Sequence, residues 1–430
     1  MPQPAGSVPI VTYEEIARAY ESDKAAIDAE IRRQAASGAL SPADADKLEA
    51  SFAEALNELR SHSNGEGVMA TAPHPLASAL QSLFAKKAAD AHQVETTPSG
   101  IPQARFDNSD ILNWIKTGLV SLFRKKFDWV HAPGDPDPLP REDTNLRVAI
   151  FGDWGTGMYG APVIADSIEK DPGVFDIVLH LGDVYYSGQP DEVKKQLTEA
   201  FPYRPDAIHR SLNGNHEMYS GGEAYIETIR QPKFSQRASY FYVENQDWVL
   251  AGLDTAYEDH SLTDDQVSWL TGILAVAGDR KLILFSHHQP FSLLDQQGPK
   301  LIEKLRPVLA SGRVFAWFWG HEHRCVLYDR HPQWQFLGRC VGHGGFPYYR
   351  DDLGPKTDSL SWFRMAANEN APGGEILVGP NPYVKEDPSK SGPHGYMSLG
   401  LEGAGVREFV HNADGTVIRT NRLSAMQAHA

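Results

Sequence analysis

Residues 314–323 have the sequence Val-Phe-Ala-Trp-Phe-Trp-Gly-His-Glu-His. The apolar run that precedes Gly320 predicts a buried strand that ends in a tight turn. His321 and His323 follow one residue apart, a spacing at which an extended or turning chain, unlike a helix, can aim both rings at one point. Two neutral imidazoles at a strand end are good ligands for a divalent or trivalent metal ion. Because a His-x-His pair is weak evidence by itself, the metal interpretation depends on what the rest of the chain supplies.

Four further predicted strands, all upstream, also end in polar clusters. The clusters are Gly152-Asp153-Trp154-Gly155, Gly182-Asp183-Val184-Tyr185-Tyr186, Gly214-Asn215-His216-Glu217 and Ser286-His287-His288-Gln289-Pro290. Because the carboxyl ends of parallel strands meet at one edge of a sheet, we expect these clusters to lie together. Carboxylate, amide, phenol and imidazole groups concentrated at one edge predict a metal site.

The order of predicted elements after residue 145 indicates an α/β fold, because short apolar runs alternate with amphipathic helices as in a largely parallel sheet. Strands are predicted over Arg147–Phe151, Asp176–Leu181, Ile208–Leu212, Ser239–Val243, Trp248–Leu253, Lys281–Phe285 and Val314–Trp319, and helices over Ala161–Lys170, Asp191–Phe201, Thr263–Ala275 and Lys300–Leu309. Residues 351–393 are polar and rich in Pro and Gly, which predicts a surface excursion. Residues 394–423 predict three antiparallel strands at the end of this domain, which spans residues 145–430.

Residues 1–140 differ in character and predict a helical N-terminal extension with a Pro-rich linker at its end. Helices are predicted over Tyr13–Ala35, Pro42–His62, Pro73–Ala91 and Ser109–Val130, because these segments are rich in good helix formers and poor in helix breakers. The last of these has an apolar stripe, and docking on the rest of the protein is favoured over contact with a membrane surface.

Composition limits the classes of partner. The chain has 430 residues and a formal net charge of -16, so binding to the phosphate backbone of a nucleic acid is not expected. Two cysteines do not suggest a disulfide-stapled exported protein. The N-terminus has no signal-peptide pattern and no apolar run is long enough to span a bilayer, so a cytoplasmic location without a transmembrane segment is expected. Composition does not indicate the oligomeric state.

The ordered motifs Asp-x-Gly, Gly-Asp-x-x-Tyr, Gly-Asn-His-Glu, apolar-x-x-His and Gly-His-x-His resemble those of the purple acid phosphatases, which are calcineurin-like metallophosphoesterases. The resemblance covers about Arg147 to Tyr328 and implies a four-layer αββα sandwich. Many relatives have His at the position of Gly155, whereas the purple enzymes have a tyrosine three residues after the second Asp, which is Tyr186 here. The absence of a histidine at residue 155 and the presence of Tyr186 together favour the purple acid phosphatases within this superfamily.

The resemblance also implies the metal ligands. Fe(III) would be held by Asp153, Asp183, Tyr186 and His323, and a divalent Fe, Zn or Mn ion by Asp183, Asn215, His287 and His321. His216 would face the substrate without binding metal. His288 is the alternative to His287 as a ligand, and is otherwise expected to contact the substrate or support a ligand. Tyr185 is expected to pack in the core on the opposite face from Tyr186, and His343 is a weaker candidate for lining the pocket.

The function implied is hydrolysis of phosphomonoesters, of the acid phosphatase type, by attack of a metal-activated hydroxide. A phosphodiesterase of the same fold, of the cyclic nucleotide or glycerophosphodiester type, is the near alternative. A non-catalytic metal- or nucleotide-binding protein is the alternative from another class. Residues 155–160 fit G-x-G-x-x-G, as nucleotide binding would require, but that motif does not explain the histidines.

Overall fold

The computed structural model describes residues 13–61, 74–90, 94–96, 102–104, 125–141, 145–295, 300–348, 355–384 and 391–423. Three of the predicted N-terminal helices are confirmed, as α1 (Tyr13–Ala36), α2 (Pro42–Ser61) and α3 (Pro75–Asp90). Helix α2 begins at Pro42 as predicted, and the Ser41 hydroxyl before it accepts a hydrogen bond from the Asp44 backbone N–H. Of the predicted helix Ser109–Val130, residues 109–124 lie outside the described residues. Residues 125–130 are described and are not helical.

The strands and the remaining helices follow in chain order. The strands are β1 (Val94–Thr96), β2 (Pro102–Ala104), β3 (Asn145–Phe151), β4 (Ile177–His180), β5 (Ile208–Ser211), β6 (Phe241–Glu244), β7 (Trp248–Gly252), β8 (Lys281–Ser286), β9 (Val314–Trp319), β10 (Cys325–Arg330), β11 (Leu337–Val341), β12 (Ser361–Met365), β13 (Gly374–Val378), β14 (Gly395–Glu402), β15 (Gly405–Asn412) and β16 (Val417–Leu423). The helices are α4 (Ala161–Lys170), α5 (Pro190–Glu192), which continues as a π-helical segment (Val193–Glu199), α6 (Asn215–Tyr219), α7 (Glu223–Ile229), α8 (Asp264–Val276), α9 (Lys300–Lys304) and α10 (Arg306–Leu309).

Two sheets face each other. One has the order β12-β13-β10-β11-β9-β8-β7-β6 and the other β16-β15-β14-β3-β4-β5, while β1 and β2 form a separate two-stranded sheet. The strands of the predicted βαβ units are parallel within each sheet, β3-β4-β5 in one and β7-β8-β9 in the other. The single sheet expected from the alternating pattern is therefore wrong, because alternation reports the type of each element and not the sheet that it joins.

In the central strands, alternate residues face different hydrophobic cores, one between the two sheets and one beneath the helices. The protein therefore has four layers. Val148 and Ile150 of β3 lie in the core between the sheets, whereas Ala149 and Phe151 pack with α4 and its neighbours. In β8, Ile283 likewise faces the other sheet, while Leu282 packs beneath α8. The arrangement of helices, sheet, sheet and helices confirms the αββα fold, with the helical N-terminal region added to it.

Residues after 350 differ from the prediction in one respect. The three C-terminal strands are confirmed as β14, β15 and β16, but the predicted surface excursion over 351–393 contains β12 and β13, which extend the larger sheet. Ile376 and Leu377 are buried in that sheet. The Pro and Gly residues of this segment lie mainly around the strands, and composition averaged over the segment hid the short apolar run. Within the described ranges, no helix combines the length and apolar character that crossing a membrane requires.

A buried ion pair joins the two sheets. Arg339 of β11 donates from Nε and Nη2 to the carboxylate of Glu408 in β15, at 2.8 and 3.0 Å. Asn421 donates to the same carboxylate at 2.8 Å, and both charged side chains are at most 5% exposed. Removing one member of such a pair leaves a buried charge without compensation.

We expect Arg339→Met to lower the free energy of unfolding by about 3–5 kcal/mol, because Glu408 would remain buried without its cation. Urea unfolding monitored by tryptophan fluorescence measures the change. The control is Arg364→Met, whose pair with Asp329 is about half exposed and should contribute roughly 0–1 kcal/mol. Equal effects of the two substitutions would contradict the prediction.

Candidate metal centre

Six polar side chains converge where strands of both sheets end. Asp153 follows β3, Asp183 follows β4 and Asn215 begins α6 after β5, all from the smaller sheet. From the larger sheet come His287 after β8, and His321 and His323 after β9. The predicted meeting of strand ends is therefore observed, but it joins two sheets.

The backbone at these positions has an unusual conformation. Asp153, Asp183, His321 and His323 have φ angles of 53°, 77°, 68° and 43°, in the left-handed region that residues other than Gly rarely adopt. Such turns let a strand end abruptly and present its next side chain to the site. Strained backbone at several neighbouring positions is typical of functional sites.

One group of donors consists of Asp153, Asp183, His323 and Tyr185. The Tyr185 hydroxyl lies 3.0 Å from Asp153 Oδ1, 3.1 Å from Asp183 Oδ2 and 3.0 Å from His323 Nε2. A phenol has one proton and can donate to only one of these three atoms at a time. Four donor atoms this close fit a shared cation better than a hydrogen-bond network, and three of the four are oxygens, which suit a hard ion.

A second group consists of Asn215, His287 and His321, with Asp183 again. Asn215 Oδ1 lies 2.9 Å from His287 Nε2 and 3.0 Å from His321 Nδ1, and the two imidazole nitrogens are 3.2 Å apart. Asp183 Oδ1 is 3.3 Å from His287 Nε2. Asp183 thus belongs to both groups, which is the arrangement that a carboxylate bridging two metal ions requires.

The surroundings determine which nitrogen of His287 faces the site. His287 Nδ1 lies 3.0 Å from the carbonyl oxygen of Leu181 and donates to it, so Nε2 is the nitrogen left for a metal. Of the two adjacent histidines, His287 is therefore the one that the structure brings to Asn215 and Asp183. His288 turns away, with Nδ1 3.0 Å from the hydroxyl of Thr255.

The two adjacent tyrosines both lie in one apolar cluster, but the hydroxyl group that reaches the carboxylates is that of Tyr185. Tyr186, predicted as a ligand, packs in the apolar cluster that includes α1, α2 and α3, and its carbonyl oxygen accepts a hydrogen bond from His216 Nδ1. Tyr185, predicted to pack in the core, brings its hydroxyl to the carboxylates. The prediction assumed that motif spacing and strand alternation continue beyond Asp183, but the chain turns at that residue.

Three other histidines complete the comparison with the prediction. His216, the predicted substrate contact, is almost fully buried beside Tyr185, with its Nε2 3.9 Å from Asp183 Oδ2. His343 is fully buried, and neither ring nitrogen has a hydrogen-bond partner among the described residues. His260, which no motif indicated, lies with its ring centroid 3.8 Å from that of His288. An isolated His in a loop carries no sequence signal of this kind.

Burial dominates the electrostatics of the site. It raises the pKa of Asp153 well above its usual value, although His287 opposes that effect. Burial would also raise the pKa of Asp183, but His287, His216 and His321 lower it. Burial lowers the pKa of His323 to about 4 and therefore favours a neutral imidazole at neutral pH. Neutral rings beside two acidic groups suit a cation, which would stabilise both carboxylates in the ionised form.

Glycines allow the donors to approach this closely. A Cβ atom at Gly214 would lie 2.1 Å from Asp183 Oδ1, and one at Gly155 would lie 2.4 Å from the carbonyl oxygen of Asp183. The absence of a histidine at residue 155 thus agrees with the space available. Glu217 supports the same turn, since its Oε2 accepts hydrogen bonds from the backbone N–H groups of Asp183 and Gly214, at 3.2 and 3.1 Å.

The N-terminal helices pack against the loop that carries the tyrosines. The Ser82 hydroxyl of α3 donates to Glu192 Oε1 at 2.7 Å. The same Ser82 oxygen lies 2.7 Å from the hydroxyl oxygen of Ser187. The Glu192 carboxylate in turn accepts from the backbone N–H groups of Tyr186, Ser187 and Gln189, at 2.8, 3.1 and 3.0 Å. A hydrogen-bonded connection therefore leads from α3 to the residue that follows Tyr185.

Part of the chain is similar to known proteins. Residues 146–325 match the family described as Calcineurin-like phosphoesterase. The chain is 27% identical to human tartrate-resistant acid phosphatase type 5, over 41% of the chain and 67% of the relative. It is also 27% identical to an Arabidopsis thaliana protein named Probable inactive purple acid phosphatase 24, over 49% of the chain.

The match to the Arabidopsis protein spans only 40% of that relative's length. A glycerophosphodiester phosphodiesterase, GpdQ of Enterobacter lignolyticus, is 26% identical over 35% of the chain and 57% of its own length. Among solved structures, a purple acid phosphatase from yellow lupin has a TM-score of 0.48 at 17% identity, over 69% of this chain and 55% of the lupin chain.

We expect Ser82→Ala to lower the free energy of unfolding by about 1–3 kcal/mol, because the buried Glu192 carboxylate loses a donor. Since Glu192 holds the tyrosine loop, metal affinity should fall as well, which competition with a chromogenic chelator measures. The control is Ser167→Ala, which removes a 2.8 Å hydrogen bond to the Ala413 carbonyl, a contact that does not involve Glu192. If both variants bind metal equally well, Ser82 has no positioning role.

Proposed function

We propose, from the premise that residues 146–325 form a calcineurin-like phosphoesterase domain, that this protein hydrolyses phosphomonoesters at a dinuclear metal centre. The observation that carries the proposal is the position of Asp183, which contributes one oxygen to each of two donor groups. Two metal ions held a few ångströms apart by a shared carboxylate can clamp a phosphoryl group between them.

The two sites suit different ions. Asp153, Asp183, Tyr185 and His323 supply three oxygens and one nitrogen, which suit Fe(III). Asp183, Asn215, His287 and His321 supply two oxygens and two nitrogens, which suit divalent Fe, Zn or Mn. When bound, such ions neutralise charge on the phosphoryl group and lower the pKa of water for attack on phosphorus.

His216 is the residue proposed to act on the substrate. Burial lowers its pKa, with Asp183 opposing this effect. Its Nδ1 donates to the Tyr186 carbonyl, which holds the ring in place and turns Nε2 toward the site. A bound phosphate dianion would favour protonation of the ring, so His216 could then donate a hydrogen bond to phosphoryl oxygen or a proton to the leaving alcohol.

The substrate is proposed as a phosphate monoester on the strength of the acid phosphatase relatives. The similarity to a protein named as a glycerophosphodiester phosphodiesterase supports diester hydrolysis as the second candidate. One relative is named Probable inactive purple acid phosphatase 24, so a metal-binding protein that hydrolyses no substrate is the third candidate. The cytoplasmic location stays a prediction.

The tyrosine assignment predicts a colour change. If Fe(III) is bound by a tyrosinate, the protein has a visible charge-transfer band, and we expect Tyr185→Phe to abolish the band while Tyr186→Phe retains it. Absorption spectra recorded at equal iron content measure the difference. Loss of the band in Tyr186→Phe alone would restore the assignment made from motif spacing, and a colourless dinuclear protein would exclude a ferric tyrosinate.

The activity is tested with a panel of chromogenic phosphate monoesters and diesters on the metal-loaded protein. We expect turnover of monoesters, and a fall in kcat of about 10²–10⁴-fold in His216→Asn at unchanged metal content, because a proton donor is lost. Preferential turnover of diesters would favour the second candidate. A fully loaded protein that hydrolyses neither class would exclude both enzymatic candidates.

A further inference from the structure

We propose a third metal site, formed by His260, His288 and His321 beside the dinuclear centre, that takes a divalent transition-metal ion such as Zn²⁺. One donor nitrogen from each ring lies within 4.8 Å of the other two. The ring centroids are 3.8 Å apart for His260 and His288, 4.7 Å for His288 and His321, and 5.3 Å for His260 and His321. The donor nitrogens of the three imidazoles are thus close enough to share a single ion.

Two of the rings are oriented as metal ligands are. His288 Nδ1 lies 3.0 Å from the Thr255 hydroxyl, and His260 Nδ1 lies 2.9 Å from Asp259 Oδ1. Histidine ligands usually make such a hydrogen bond through one nitrogen, which fixes the ring and leaves the other nitrogen for the metal. In both rings that other nitrogen is Nε2.

The interior of the group contains an unsatisfied atom. His288 is fully buried, and its Nε2 has no hydrogen-bond partner among the described residues. Buried polar atoms are nearly always paired in native proteins, so an unpaired one indicates a ligand or ion. The carboxylate of Asp259 against His260 favours a cation over an anion as that ligand.

His321 connects this site to the dinuclear centre through its two nitrogens. Its Nδ1 is 3.0 Å from Asn215 Oδ1 and belongs to the second donor group, so Nε2 is the nitrogen available to the third ion. Coordination through both nitrogens makes the ring an imidazolate, and the Nε2 proton passes to solvent.

The donor set indicates the class of ion. Three nitrogen donors without a carboxylate suit Zn²⁺, Cu²⁺ or Ni²⁺ and not Mg²⁺ or Ca²⁺. Three protein ligands leave a fourth position in a tetrahedral Zn²⁺ shell for water or another small ligand. The side chain of His260 is 31% exposed, so this side of the group is open to solvent.

The test is metal content measured by mass spectrometry on full-length protein saturated with Zn²⁺ and freed of excess by gel filtration. We expect three ions per chain in the wild type and two in His260→Ala. Asp259→Asn should keep the third ion but bind it about 10–100-fold more weakly, because the orienting carboxylate is lost. His131→Ala is the control, since this exposed histidine pairs with Asp265 and should leave three ions bound.

Two ions in both the wild type and His260→Ala would overturn the third site. Equal unfolding midpoints of the metal-free proteins in urea, measured with a chelator present, would show that loss of an ion does not reflect misfolding. The outcome is separate from the proposed hydrolysis, because ions are counted without a substrate. A protein that binds three ions and turns over nothing would support the site and exclude the activity.

Discussion

The rest of the structure depends on keeping two carboxylates, Asp153 and Asp183, almost fully buried and close together. Burying one ionised carboxylate costs several kcal/mol, and two side by side also repel each other. His287 lowers the pKa of both carboxylates, and His216 and His321 also lower that of Asp183, but burial still leaves the pKa of Asp153 well above its usual value. Cations held by the two donor groups would offset the cost of burying the ionised carboxylates, so metal binding should stabilise the local fold.

The turns that follow the strands satisfy this constraint. The site residues with left-handed backbone and the glycines with no space for a Cβ atom lie in the same few loops. Two sheets contribute these loops, and the core between the sheets and the Arg339–Glu408 pair keep the sheets in register. Rigidity in the layers therefore supports irregular backbone where donors must converge.

The N-terminal helices have a part in this arrangement that their composition did not reveal. Helix α3 reaches the tyrosine loop through Ser82 and Glu192, and an apolar cluster joins α1 and α2 to Tyr185 and Tyr186. A region predicted as an extension thus packs against the loop that carries Tyr185 and Tyr186. The pattern of helix formers predicted three of its helices, but not where they pack.

Motif order and apolar periodicity determined the type of most elements, the αββα fold by resemblance, and the set of residue types that meet at the strand ends. Only the tertiary structure decided which of two neighbours faces the site, as with Tyr185 over Tyr186 and His287 over His288. It also brought His260, distant in sequence and outside every motif, to His288. The physical reason is that periodicity predicts orientation only while the backbone stays regular. Tyr185 and Tyr186 follow a turn at positive φ, and His287 and His288 follow the end of β8, so the direction of each side chain depends on the packing around it.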